Sequence, residues 1–94
     1  MFALTEPAAR ERAFELISEL RREGLGATMD LGGRSLKGQM KQAGRLGAPW
    51  VVIIGPDEWS REAVALRDMR KQEQEEVPLA SLRDELLRRA RDER

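Results

Sequence analysis

The stretch GGRSLKGQMKQAGRLG, residues 32–47, carries Arg34, Lys37, Lys41 and Arg45 and no acid, in a chain whose 17 basic and 17 acidic residues cancel. At about 100° per residue these cations fall within an arc of roughly 80° on a helix, with Leu36, Met40, Ala43 and Gly47 on the opposite side. One face would enter a core, and the other would form a cationic ridge about 17 Å long at 1.5 Å rise per residue. Basic side chains commonly populate a solvated helix face, yet the segment from Leu31 to Pro56 holds no carboxylate to pair with them. Such a ridge suits the backbone of a polyanion, where each cation meets a phosphate. Gly32-Gly33 ahead of the helix would let backbone approach a ligand closely, and first-turn N–H groups attract phosphate. The spacing is neither that of a P-loop, which needs Gly-x4-Gly-Lys-Ser/Thr, nor that of a dinucleotide fingerprint. Alone, GGRS also fits a plain tight turn.

Cysteine and histidine are both absent. Their loss removes disulfides, thiolate nucleophiles, imidazole bases and most transition-metal sites. Carboxylates, lysines and hydroxyls remain, but no close pair of acids sits beside a nucleophile at a recognisable spacing, so the chain alone is not expected to catalyse. No catalytic or metal-binding residue is assigned. No apolar run approaches the roughly 18 residues of a membrane span, and no charged-apolar-small leader opens the chain. A soluble, cytoplasmic protein without a membrane partner is expected. With zero net charge, any polyanion binding must be local.

The elements that would position the ridge follow from periodicity, and 94 residues suffice for one domain, residues 1–94. FAL is a short strand that stops at Thr5-Glu6-Pro7, a helix-start signal. From Ala8 to Glu23 the residues Ala9, Ala13, Leu16, Ile17 and Leu20 recur at helical spacing, and Gly24 suits the closing left-handed position. LGATMDL alternates as a half-buried second strand. The ridge helix runs from about Ser35 to Leu46, and Trp50 to Ile54 form a strand buried on both faces. AVALRDM is a fourth strand and EEVPL a fifth, joined through Arg70-Lys71-Gln72-Glu73. Pro78 places the fifth at an edge. A last helix buries Leu79, Leu82, Leu86 and Ala90. This order implies an α/β fold, a three-layer α/β/α sandwich, in which ligands gather outside the carboxyl ends of the parallel strands, at Thr5-Glu6, Gly32-Gly33 and Gly55-Pro56-Asp57-Glu58. Phe14 and Trp50 are expected in the core. Trp59, beside the ligand edge, either packs or offers a stacking surface to an unpaired base.

DLGGRSLKGQMKQAGRLGAPWVVIIGPDEW followed by VALRDMRKQEQEEVPL resembles the C-terminal anticodon-binding domain of histidyl-tRNA synthetase, a class II aminoacyl-tRNA synthetase. The run G-R-S-L-K-x-Q-M-K-x-A-x-R-x-G-A is its most specific part, and the likeness extends over essentially the whole chain. Related domains of threonyl-, prolyl- and glycyl-tRNA synthetases share the outline. The resemblance implies a mixed five-stranded sheet, order 2-1-3-4-5 with the fourth strand antiparallel, between helices. It implies a domain that docks on the anticodon stem-loop of histidine tRNA while a separate catalytic domain of a homodimeric parent charges the tRNA using ATP; no cofactor is implied in this domain. By position, a glutamate and an arginine that contact anticodon bases in the threonyl relatives match Glu58 and Arg67. Many histidyl domains have an acid where this chain has Gly44, and a glycine where it has Gln72.

On that reading Gly32, Gly33, Arg34, Lys37, Lys41 and Arg45 bind phosphate and set register, while Glu58, Arg67 and Trp59 address splayed bases. The plainer alternatives are an exposed salt bridge for Glu58 and an ion pair of Arg67 with Asp68 or Glu62. A competing function is an interaction or dimerisation module of a regulatory paralogue without RNA recognition. It needs a broad exposed apolar face, for which only Val64 and Leu66 are candidates.

Overall fold

A computed structural model of the chain describes residues 1–29 and 35–92. Among these, β1 (Phe2–Leu4), β2 (Trp50–Ile54), β3 (Ala63–Asp68) and β4 (Glu73–Pro78) pair in the order β1-β2-β3-β4. β1 and β2 are parallel, whereas β3 runs antiparallel to both its neighbours. The helices are α1 (Arg10–Arg22), α2 (Leu36–Leu46), α3 (Pro56–Ser60) and α4 (Leu82–Asp92); single 3-10 turns at Pro7–Ala9 and Leu79–Ser81 lead into α1 and α4.

Alternation along the strands divides the core into two. Phe2, Val52, Ile54, Val64, Leu66 and Val77 meet the buried stripes of α1 (Ala13, Leu16, Ile17, Leu20) and α4 (Leu82, Leu86). The intervening residues Ala3, Val51 and Ile53 face the other way, onto Ala43 and Met40 of α2. Side chains that point to opposite faces at successive positions thus require a helix layer on each side, as the apolar run Trp50 to Ile54 implies. The mixed sheet lies between two helical layers. Phe14 departs from expectation: it lies on the outer side of α1 and is 46% exposed.

Among the described residues the sheet has four strands where five were expected, and the difference falls on the second. Met29 makes a single parallel bridge to Phe2, whose N–H donates to the Thr28 carbonyl at 2.8 Å, and residues 30 and 31 lie outside those described. Farther along that edge of β1 lie the N–H and carbonyl of Leu4. Both are taken by the side chain of Gln39 on α2: the Leu4 N–H donates to Oε1 at 3.0 Å, and Nε2 donates to the Leu4 carbonyl at 2.8 Å. One amide side chain, 2% exposed, supplies the donor and acceptor that a neighbouring strand would supply there.

At the other edge β4 ends in Pro78, as expected of a strand with one free side, and Glu73, Glu75 and Glu76 are exposed along it. The β3-β4 turn is held by Asp68, whose Oδ1 accepts from the Arg70 and Lys71 N–H groups at 2.9 and 3.1 Å. Those two bonds, Lys71's first, keep its carboxyl below the usual range. Gln72 adopts a left-handed conformation, φ 56°, which explains why glycine suits this position. α4 is latched to the sheet by Arg89, which lies 4.9 Å over the Trp50 ring and pairs with Glu75 of β4 and with Glu85. Hydrogen bonds from Arg88 and Arg89 hold the Glu85 carboxyl down at about 2.

Replacing Gln39 by Leu removes both partners of Leu4 and keeps the volume. The expected loss is about 2–3 kcal/mol in urea unfolding, the cost of leaving buried backbone groups unsatisfied. An unchanged midpoint would show that the β1 edge finds other partners.

Candidate nucleic-acid interface

α2 begins at Ser35, whose Oγ accepts from the Gly38 N–H at 3.3 Å, and ends at Gly47 in the left-handed conformation, φ 68°. Gln39 and Ala43 are its buried residues. Their burial fixes the rotation of the helix about its axis, and Lys37, Lys41 and Arg45 consequently face outward and are exposed. Among the described residues none of the three has an acid within ion-pair distance. Gly32, Gly33 and Arg34 lie outside the described residues.

Elsewhere five arginines are matched, while Arg10, Arg21 and Arg22 on α1 and Arg91 on α4 make no ion pair among the described residues. Arg12 pairs with Glu15 at 3.0 Å, Arg61 with Glu76 at 2.7 Å, Arg83 with Glu23 at 3.1 Å, and Arg88 and Arg89 with Glu85. Acids and bases intermingle on α1 and α4, whereas α2 carries bases alone. The positive potential is therefore concentrated on one side of the sheet.

Arg67 belongs to that same side. Ala65 and Met69, two residues before and after it, pack against the α2-side core, so the alternation of β3 turns Arg67 toward the α2 layer. α2 sits on β1 and β2 and leaves the β3-β4 half of this face half-open, with Ala65, Arg67 and Met69 half-buried and Gln74 and Glu76 exposed. The result is a corner: α2 is the wall, and β3 with β4 is the floor. Arg67 makes no ion pair with Asp68 or Glu62 among the described residues, Asp68 being turned into its own loop.

Glu58 and Trp59 sit elsewhere. Residues 56–60 form the short helix α3. Glu58 Oε1 accepts from the Gly55 N–H at 2.8 Å and so caps α3, while Oε2 lies 3.8 Å from Arg61. Thr5 and Glu58, from the ends of the two parallel strands, meet over Gly55: a Cβ on Gly55 would lie 2.9 Å from Glu58 Oε1 and 3.0 Å from Thr5 Oγ1. Trp59 packs against the core on the α1 side. Arg67, which pairs with Val51, lies about 13 Å along the sheet from that rim, four residues at 3.3 Å each. The structure therefore groups Arg67 with the α2 cations and places Glu58 apart from them.

Val64 and Leu66, the candidates for an exposed apolar face, are 0% and 1% exposed. Among the described residues the exposed large apolar side chains are Phe14 on α1 and Leu36 and Leu46 at opposite ends of α2. Gln39 had gone unassigned in the sequence. Its signal was there: a lone amide between Leu36 and Ala43 on the helix's apolar side. Among the described residues no cluster of acids could hold a metal ion, and no helix is long and apolar enough to cross a membrane.

The family model for the anticodon binding domain matches residues 2–89. A histidine–tRNA ligase of Desulfitobacterium hafniense is 39% identical over 93 residues, 99% of this chain and 22% of the ligase. One of Desulforamulus reducens is 49% identical over 71 residues, 76% of this chain and 17% of the ligase. The crystal structure of apo Staphylococcus aureus histidyl-tRNA synthetase superposes with a TM-score of 0.80 at 34% identity, over 88% of this chain and 22% of that one. This chain thus spans about a fifth of the length of the relatives it matches.

Gly55→Ala is expected to push the Glu58 carboxylate off the Gly55 N–H and to cost about 1 kcal/mol, the scale of a lost helix cap. In a Glu58→Ala background the same substitution should cost less, which a double-mutant cycle of urea midpoints measures. Equal costs in the two backgrounds would show that the Glu58 contact does not dictate glycine here.

Proposed function

This chain belongs to the anticodon binding domain family, and on that premise we propose that it grips the anticodon stem-loop of histidine tRNA in the corner between α2 and the open half of the sheet. The observation that carries the proposal is the row Lys37, Lys41 and Arg45: exposed, on one helix face, and without acids among the described residues. Four residues at 1.5 Å rise separate successive cations by about 6 Å along the axis, so they can meet phosphates along one strand in turn. Gly32, Gly33 and Arg34 extend the same phosphate site at its start. These contacts set position and register and carry no sequence information themselves.

Base reading falls to residues next to that track. Arg67, on the floor of the corner and without an ion pair among the described residues, presents a planar donor array suited to a base edge. Glu58 contributes from the rim, where its cap contact fixes its orientation. Trp59, packed on the core, chiefly supports α3, and its remaining exposed edge is the part available to a base. On the far side α1 and α4 interleave acids among their arginines, so no uncancelled row of cations competes for RNA there.

In this reading the ATP-dependent charging of tRNA with histidine belongs to a separate catalytic domain of a homodimeric, cytoplasmic parent enzyme. The chain contributes recognition and no cofactor chemistry.

Titration of the histidine anticodon stem-loop at several salt concentrations tests the grip. Lys37→Glu with Lys41→Glu should weaken binding at least tenfold and reduce the salt slope by about 0.7–0.9 per lost phosphate contact. An unchanged slope would reject the phosphate track.

A further inference from the structure

α2 contains a glycine that the fold does not require. Gly44 lies within the helix, where glycine is roughly 1 kcal/mol less favourable than alanine. Its backbone is not left-handed, and a Cβ built on it would meet nothing within 4 Å. Nothing inside the protein calls for a bare backbone here, and the bare backbone opens outward.

What it opens onto is a groove of about 520 Å³ between the end of α2 and the end of β3, lined by Gly44, Gly47, Ala48, Pro49, Met69 and Arg70. The size lies within the usual range for small-ligand sites. Its walls are small and apolar except for Arg70, which is already engaged within the protein. The Met69 N–H bonds the Pro49 carbonyl at 3.0 Å, which fixes the two walls relative to each other. Because Trp50 pairs with Asp68, the groove sits at the amino end of β2, about 16 Å from the Gly55-Glu58 rim at five residues of strand. It is therefore apart from the Glu58 rim and lies two residues, about 7 Å, beyond Arg67 on the same face.

Charge indicates the occupant. Lys41 and Lys37 lie about 60° and 20° around the helix from Gly44, and about 4.5 and 10.5 Å along it. Both are exposed and have no acid partner among the described residues. An apolar slot flanked by free cations fits a planar base whose phosphates run beside it. We propose that the groove at Gly44 receives an unpaired nucleobase of single-stranded RNA, stacked against Met69 and Pro49, with its neighbouring phosphates on Lys41 and Lys37. The thioether of Met69 is a favourable partner for a ring edge, which every base offers, and Arg70 is the one polar side chain on the walls. The slot is therefore sequence-tolerant and lengthens the strand the domain can hold. This inference rests on the reading of α2 as a phosphate track.

The test uses fluorescein-labelled octauridylate at low salt, with Gly44→Leu to fill the groove and Gly44→Ala as the smaller control. Both substitutions raise helix propensity at an exposed position, and circular dichroism confirms folding. Gly44→Leu should weaken binding about tenfold with the salt slope unchanged, the scale of one lost base stack. Gly44→Ala should stay within about twofold of the parent protein. If Gly44→Leu binds as tightly as the parent protein while Lys37→Glu with Lys41→Glu loses binding, the slot is refuted and the phosphate track stands. A Gly44→Leu loss accompanied by a shallower slope also refutes it, since that would mean lost phosphate contacts. If the parent protein binds neither octauridylate nor the anticodon stem-loop, slot and track fall together.

Discussion

The docking of α2 onto the parallel pair of strands is the constraint from which the rest of the structure takes its functional form. Gln39 bonds both backbone groups of Leu4, and Ala43 packs against the side of the sheet that carries Ala3, Val51 and Ile53. A helix tied at two positions one turn apart cannot roll. The opposite face, with Lys37, Lys41 and Arg45, must then look into solvent. A buried amide of this kind has little tolerance for misplacement, because any rotation leaves donor and acceptor unsatisfied in an apolar setting. Specificity of orientation, rather than added stability, is what the polar contact supplies.

The two faces of the sheet use charge differently. On the α1 and α4 side arginines and acids neutralise one another, and Arg89 ties α4 to both Trp50 and Glu75. Exposed pairs of that sort contribute little individually, but as a network they hold a short helix in register. On the α2 side positive charge is left uncancelled beside a stretch of sheet that no helix covers among the described residues. A chain with no net charge can thus present a local anion site, and the matched face limits adhesion to nucleic acid at large.

Much of this was legible in the sequence, because it depends on periodicity. The stripes of α1 and α4, the doubly buried run Trp50 to Ile54, the limits of α2 at Ser35 and Gly47, and the outward ridge all follow from local pattern. What escaped local pattern depends on partners distant in sequence. LGATMDL alternates as a strand should, yet among its described residues only Met29 bridges β1, and the Leu4 groups farther along that edge are taken by Gln39. PDEWS has no helical period long enough to register, and its turn forms because Glu58 folds back on Gly55. Phe14 sits one step off the buried stripe of α1, where only the packed structure distinguishes rim from core. The grouping of Arg67 with the α2 cations, away from Glu58, is likewise a fact of strand register, which no single segment encodes.

The central claim is that RNA approaches the corner between α2 and the β3-β4 half of the sheet. Amide chemical-shift mapping during titration with the histidine anticodon stem-loop tests it most directly. The account predicts shifts concentrated at residues 36–46 and 65–69, with α1 and α4 nearly silent. Shifts centred on α1 or α4 would contradict it.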